Sequence, residues 1–248
     1  MGSFWSNFTK SRTGERKRGL GRWFQILEDR FMTLFWTNLL FLAFALPFLV
    51  CLFFFSQIGD ILSLAGMVLS LIPLGMGMTA LSYIIMQVIR DKHVYVWEDF
   101  LKSVRRDWKQ SAGFALLAGA LWGAFAYALR LILAIQGGLG PVYAAVFAIN
   151  AFLVMGLTLI GFQQIAMVQL PFYGVLKNAF LLIFAGKGHG FMAVVFVLVS
   201  VAACLWFYEY FVFILLLGAP MMIVMTANLM LLPVFEEFFP EDENEEEI

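Results

Sequence analysis

The side chains best suited to catalysis or metal binding are few in this sequence and stand far apart. The two histidines are His93 and His189, and neither belongs to a His-Glu-x-x-His zinc motif. The two cysteines, Cys51 and Cys204, are isolated in apolar stretches, whereas a metal site needs clustered ligands. The sequence also has no Gly-x-x-x-x-Gly-Lys phosphate loop. We therefore predict no catalytic residue, no bound metal and no cofactor, and a protein that is not an enzyme.

The composition predicts an integral membrane protein. Of the 248 residues, 62% are hydrophobic and 13% are charged, against about 45–50% and about 25% in soluble domains. A soluble domain of this length could not bury so much apolar surface. The same composition argues against a nucleic-acid binder, a secreted disulfide scaffold and a disordered chain.

Six apolar stretches are long enough, or nearly so, to cross a bilayer as helices. About 20 apolar residues span the hydrocarbon core, and none of the stretches alternates as membrane β-strands do. The predicted spans are 31–55, 61–89, 112–135, 142–170, 191–207 and 211–234. The sequence therefore predicts an all-α polytopic bundle of six transmembrane helices in three hairpins.

The basic residues predict how these spans are oriented. Fifteen of the sixteen Lys and Arg residues fall in 1–30, 90–110 and 171–190, on one side of the six-span arrangement. Because cytoplasmic loops are enriched in Lys and Arg, we expect a multi-pass protein of the cell membrane with both termini in the cytoplasm. The predicted domains are a basic N-terminal segment with an amphipathic helix, a single transmembrane domain and an acidic tail, at 1–30, 31–234 and 235–248.

A stretch with helical amphipathic periodicity precedes each predicted hairpin, on the cytoplasmic side. In the middle stretch, apolar residues recur at spacings of three and four, and charged residues occupy another face. The apolar positions are Val94, Trp97, Leu101, Val104 and Trp108, and the charged ones are Glu98, Lys102, Arg105 and Lys109. Similar stripes occur over 20–31 and, more weakly, over 172–183. Two interpretations stay open, namely helices that anchor the bundle in the headgroup layer and surfaces that dock a cytoplasmic partner.

Polar residues inside the predicted spans form a second group of candidates. No Asp, Glu, Lys or His falls within the six spans, and Arg130 is the single charged residue there. Near the outer interface Arg130 can snorkel, or pair with Glu209 or a solute. Interhelical hydrogen bonds and a path for a polar solute both explain such residues. The candidates are Asn38, Arg130, Asn150, Gln163, Gln164 and Asn228.

Small residues recur every four positions in the third predicted span. They are Ala115, Gly119 and Gly123. Small side chains let two membrane helices approach closely. The spacing therefore predicts a helix-packing contact, either within the chain or with a partner.

Five short motifs between residues 31 and 110 carry a family resemblance. They are Trp36-Thr37-Asn38-Leu39-Leu40, Thr79-Ala80-Leu81, Arg90-Asp91-Lys92, Glu98-Asp99-Phe100 and Trp108-Lys109-Gln110. They resemble the YesL-like family, which comprises membrane proteins of Gram-positive bacteria with no known function. The C-terminal half of the chain is similar mainly in hydropathy.

The resemblance implies a context rather than a chemistry. Members of that family tend to be encoded beside carbohydrate ABC importers, which implies an accessory or regulatory subunit whose partners are importer permease or ATPase subunits. No catalytic residue of the family can be carried over. The predicted partner contacts are Trp97, Glu98, Asp99, Phe100, Arg105 and Trp108. The alternative function is a stand-alone sugar permease that uses the polar groups of the spans.

Overall fold

A computed structural model describes residues 20–58, 60–134, 140–168, 170–184, 188–207 and 210–239. Throughout these ranges the regular structure is helical and includes no strand. The helices are α1 (Leu20–Ile58), α2 (Ile61–Ile89), α3 (Val96–Ala134), α4 (Pro141–Met167), α5 (Phe172–Phe184), α6 (His189–Trp206), α7 (Phe211–Leu216) and α8 (Ala219–Phe238). The predicted all-α architecture is confirmed.

The number of spans agrees approximately with the predicted six. Five helices of the described chain, α1, α2, α3, α4 and α8, are long and apolar enough to cross a bilayer. A sixth span is obtained if α5 and α6, which meet at 94°, are counted together. With 18 residues, α6 alone is about 27 Å long, slightly less than the hydrocarbon core of about 30 Å.

The first and third predicted spans begin earlier than expected. α1 starts at Leu20 and passes through a kink at Arg30, whose backbone is not helical (φ −124°, ψ 18°). α3 runs without interruption from Val96 through the predicted start of its span at residue 112. No Gly or Pro falls between 96 and 112 to end the helix. The middle amphipathic segment and the span that follows it therefore form one continuous helix, whereas the first segment is separated from its span by the kink at Arg30.

The last predicted span, 211–234, is interrupted. α7 ends at Leu216, and Gly218 takes a left-handed conformation (φ 96°) before α8 begins. Glycine adopts this conformation without steric cost, and Pro220 in the first turn of α8 favours a helix start. The prediction of one continuous helix over 211–234 was wrong. Hydropathy did not indicate the break, because Leu217 and Gly218 lie in an uninterrupted apolar run. Elsewhere α4 ends at Met167 rather than at 170, and α8 continues to Phe238.

The interior is packed most densely at one end of the bundle. Residues 79–89 of α2 are almost all buried, whereas residues 61–69 are largely exposed. α2 contacts α1, α3, α4 and α8, so it lies at the centre. One apolar cluster joins α1, α2 and α8, and a second joins α4, α5, α6 and α8. The α5 stripe predicted over 172–183 contributes Val175, Ala179 and Ile183 to the buried core.

Small residues allow α3 to pack closely on α2. A Cβ atom on Gly75 would lie 2.3 Å from the Cβ of Ala115, and one on Gly119 would lie 2.3 Å from Leu71 Cδ1. A Cβ on Gly123 would have no atom within 4 Å. Two of the three predicted packing residues therefore lie in an intramolecular contact, and Gly123 does not.

Candidate functional site

The first half of α3, residues 96–110, presents three separate faces. Because successive residues of an α-helix are turned by about 100°, positions three and four apart fall on the same side. Phe100, Ser103 and Asp107 form the inward face and are buried. The aromatic face, defined as Trp97, Leu101 and Trp108, is exposed, with 58% of Trp97 and 48% of Trp108 accessible. The charged face, also exposed, comprises Glu98, Lys102, Arg105 and Lys109.

Contacts with two neighbouring helices hold the inward face in place. The rings of Phe100 and Phe44 of α1 pack with centroids 5.6 Å apart. One residue beyond the segment, the Ser111 hydroxyl donates to Thr79 Oγ1 of α2 at 2.8 Å. Both contacts fix the rotation of α3 about its axis, and thereby the direction in which the aromatic and charged faces point.

Arg106 ties the same segment to α4. Its Nη2 donates to Asp107 Oδ2 at 2.7 Å and to the carbonyl of Ala166 at 3.1 Å. Its guanidinium carbon lies 5.0 Å from the ring centroid of Tyr83. The hydrogen bond with the Asp107 carboxylate raises the pKa of Arg106 above its ordinary value. Since the last carbonyls of a helix have no partner within it, Arg106 also caps the end of α4.

A second arginine performs the same task at the end of α2. Arg22 of α1 donates to the carbonyl of Ile89 at 3.0 Å and to Asp91 Oδ2 at 2.7 Å. Next to it, Trp23 Nε1 donates to Thr226 Oγ1 of α8 at 2.9 Å. Trp23 belongs to the apolar stripe predicted over 20–31, for which anchoring and docking both stayed open, and Arg22 lies outside that stripe. No local pattern indicates these bonds, because each acceptor lies more than sixty residues away in the chain.

The predicted partner contacts divide between the surface and the interior. Trp97, Glu98, Arg105 and Trp108 are exposed. Asp99 accepts a hydrogen bond from the Tyr95 N–H at 2.8 Å and so caps the start of α3. Phe100 is fully buried, and its inclusion among the contacts was wrong. It lies at the edge of the inward face, where its ring packs on Phe44 of α1.

An open cavity of about 580 Å³ adjoins the aromatic face. Among the described residues, its lining comprises Glu98, Leu101, Lys102, Arg105 and Arg106. These residues belong to a single helix, and their charge is predominantly positive. The cavity thus offers basic groups next to exposed apolar side chains.

The interior holds a cluster of carboxamides between three helices. Gln163 Nε2 of α4 donates to Asn228 Oδ1 of α8, and Asn228 Nδ2 donates to the carbonyl of Ser82 of α2 at 3.3 Å. All three residues are buried. Within the described part of the chain, the Oε1 of Gln163 and both side-chain polar atoms of Gln164 have no hydrogen-bond partner. The cluster therefore has unused donor and acceptor capacity.

The remaining polar candidates do not join this cluster. Asn38 is buried, and its Nδ2 donates to the carbonyl of Leu215 at 3.1 Å. Asn150 is exposed and donates to the Val146 carbonyl of its own helix at 2.9 Å. Arg130 is also exposed, and its suggested partner Glu209 lies outside the described residues, as do residues 1–19 and the tail from 240 onward. The six predicted residues therefore do not line one path.

Part of the chain matches a known protein family. Residues 34–129 match the family described as "Protein of unknown function, DUF624". The YesL-like proteins are a DUF624 family. The match therefore supports the resemblance to this broad family of unknown function, and not to the YesL-like proteins in particular. The matched region covers α1 after its kink, the whole of α2 and most of α3, including the aromatic and charged faces. No curated protein and no solved structure matches the chain. Among the described residues, no three His, Cys, Asp or Glu side chains are grouped as metal ligands.

Proposed function

We propose that this protein is a non-enzymatic membrane subunit that docks a cytoplasmic partner through the aromatic and charged faces of α3. The observation that carries the proposal is the exposure of Trp97 and Leu101 on a helix whose opposite side is held firmly by α1, α2 and α4. A rigid surface with aromatic anchors beside basic groups is typical of a protein interface.

The continuity of α3 favours a docking surface over a helix that lies flat in the headgroup layer. An interfacial helix lies in the membrane plane, whereas the first half of α3 continues the axis of the span that begins near Ala112. Trp97 is then about 22 Å along the axis from that point, or about 17 Å from the bilayer core at a tilt of 40°. The headgroup layer is only about 5–7 Å thick on each side. Trp108 falls within this layer, and Trp97 and Leu101 extend beyond it.

The partner class that we propose is a permease or ATPase subunit of a carbohydrate ABC importer. The YesL-like resemblance supports this choice, since it implies a genetic context of sugar import. The positive-inside distribution of Lys and Arg supports a cytoplasmic location for the two faces. A predominantly positive face also suits an acidic surface on the partner.

Affinity purification tests the proposal directly. The tagged protein, at its native level, is extracted in a mild detergent, and the proteins that remain bound are identified by mass spectrometry. We expect importer subunits with the wild type and at least a tenfold loss with the double variant Trp97→Ala and Trp108→Ala. Trp206→Ala is the matched control, because Trp206 is 82% exposed on a different helix. The proposal would be refuted if the wild type, the double variant and the control all retained the same proteins. It would also be refuted if the wild type retained no protein even after crosslinking in intact membranes.

A stand-alone sugar permease is the second candidate. Polar atoms of Gln163 and Gln164 that have no partner among the described residues favour it, because buried carboxamides with free donors and acceptors suit a hydroxylated solute. Proteoliposomes that contain only this protein provide the test. Sugar uptake that disappears with Gln164→Met would support a permease. Absence of uptake across candidate sugars would argue against a permease and favour the docking function.

A further inference from the structure

A groove of about 290 Å³ lies where α7 gives way to α8. Its described lining comes from α1, from Leu74 of α2, and from α6, α7 and α8, and Ala45 of α1 is among the lining residues. The lining residues are Phe41, Leu42, Ala45, Phe48, Leu49, Leu74, Val201, Cys204, Ile214, Leu215, Ala219, Pro220, Ile223 and Val224. Every one of these side chains is apolar or a thiol, and all belong to stretches that the sequence assigns to the bilayer.

Two N–H groups at the helix break are paired within the turn itself. The Leu217 N–H donates to the Phe213 carbonyl at 2.8 Å, and the Gly218 N–H donates to the Leu215 carbonyl at 3.2 Å. Asn38 adds a side-chain hydrogen bond to the Leu215 carbonyl. Broken membrane helices that bind substrates or ions do so through unpaired backbone groups. These two N–H groups are therefore not available to a solute.

The chemistry and the depth of the groove select its occupant. Water in the groove would lack the two to four polar partners that it needs. The lining belongs to stretches assigned to the bilayer, where lipid tails are always present. A slender hydrocarbon chain suits an apolar space at this depth and needs no matching surface on a second protein.

We propose that this groove binds one acyl chain of a membrane phospholipid, which seals the gap between α1 and the broken α7–α8 segment. The acyl chain fills a space that the helices leave open at the break between α7 and α8. Because all contacts are apolar, the binding depends on the acyl chain and is indifferent to the headgroup. This site is separate from the docking faces of α3.

Lipid retention tests the proposal. The protein is purified in detergent, washed, and analysed by native mass spectrometry for phospholipid that remains bound. Ala45→Phe fills the groove, since Ala45 is buried within its lining, and Ala65→Phe places the same ring on an exposed position of α2. We expect one retained phospholipid with the wild type and with Ala65→Phe, and at least a tenfold lower occupancy with Ala45→Phe. Equal retention by all three chains, or none by the wild type, would overturn the proposal.

A measurement on the unaltered chain avoids any dependence on the folding of a variant. Cys204 lines the groove, whereas Cys51 contacts Gly66 of α2, and both are free thiols. The delipidated protein is treated with a lipid-soluble maleimide, with and without dioleoylphosphatidylcholine or dioleoylphosphatidylglycerol in mixed micelles. We expect either lipid to slow modification of Cys204 about tenfold and to leave Cys51 unchanged. Equal effects on the two cysteines, no effect on either, or protection by one headgroup alone would contradict an acyl-chain site.

Discussion

Gln163 and Gln164 are neighbours on α4, but their side chains have different surroundings. The Gln163 amide donates to Asn228, and the Gln164 carboxamide has no partner among the described residues. An unpaired buried polar group costs about 1–3 kcal/mol. Polarity inside a predicted span marks both residues as candidates. The amino-acid sequence does not distinguish them, because which one meets Asn228 depends on the rotation of α4 against α8.

Replacing each glutamine by methionine separates the two roles. Gln163→Met leaves Asn228 Oδ1 without its donor, so we expect a loss of about 0.6–1.7 kcal/mol in unfolding free energy, the range for interhelical hydrogen bonds in membranes. Gln164→Met removes a polar group that has no partner, so stability stays equal or rises. Unfolding in mixed micelles with increasing denaturing detergent measures both. A larger loss for Gln164→Met would show that this carboxamide has a bound partner, such as a solute.

Arg105 and Arg106 are adjacent, but Arg106 bonds to Asp107 and the Ala166 carbonyl, whereas Arg105 lies on the exposed charged face that we propose as a docking surface. Arg106→Gln removes the cation beside the buried Asp107 carboxylate and the cap on α4, and we expect a loss of about 1–3 kcal/mol. Arg105→Gln alters only an exposed group and should change stability by less than about 0.5 kcal/mol. In partner purification we expect the opposite ranking of the two variants. Arg105→Gln should lose the bound partner although its stability is unchanged. Equal effects of the two variants in the unfolding assay would contradict this assignment.

At the scale of elements, periodicity identified the apolar stripe of α3 but not the side that packs inward. The inward face contains Ser103, Asp107 and Ser111, which a hydrophobic pattern does not mark. Asp107 and Ser111 are accommodated because Arg106 and Thr79 supply their hydrogen bonds. Most of the predicted apolar stripe is therefore exposed. This exposure is the main support for a docking surface on α3.

Close helix approach makes a second prediction about elements. A Cβ on Gly161 of α4 would lie 2.0 Å from Phe114 Cζ, and Phe114 is itself buried. We expect Gly161→Ala to cost about 1–3 kcal/mol by overpacking. Gly123→Ala, where a Cβ meets open space, should be neutral or stabilise the helix by up to about 1 kcal/mol. Detergent unfolding of both variants measures the difference, and an equal response would contradict the packing of α4 on α3.

For the whole molecule, hydropathy was sufficient to predict an all-α bundle with about six spans. It missed the break at Leu217 and Gly218, because both residues are compatible with an apolar run. It also missed the dense packing of residues 79–89 of α2, which arises from contacts with four other helices. Composition along one chain determines which segments enter a bilayer, whereas their mutual contacts depend on three-dimensional arrangement.

Orientation is tested by cysteine accessibility in intact cells. Lys102→Cys and Asp60→Cys are introduced separately into a chain in which Cys51 and Cys204 are replaced by Ala. Both positions are exposed and lie at opposite ends of the bundle. Because basic residues concentrate in cytoplasmic segments, an impermeant maleimide should label Asp60→Cys in intact cells, and Lys102→Cys only after permeabilisation. The reverse pattern would place the aromatic face of α3 outside the cell.

The most direct test of the docking function is site-specific photocrosslinking in living cells. A photoreactive amino acid replaces Leu101 on the aromatic face or, as the control, Leu131 near the other end of the same helix; both leucines are exposed. We predict a crosslink from position 101 to one importer subunit, identified by mass spectrometry, and only lipid adducts from position 131. Lipid adducts alone from both positions would contradict a docking face on α3 and would favour an interfacial helix.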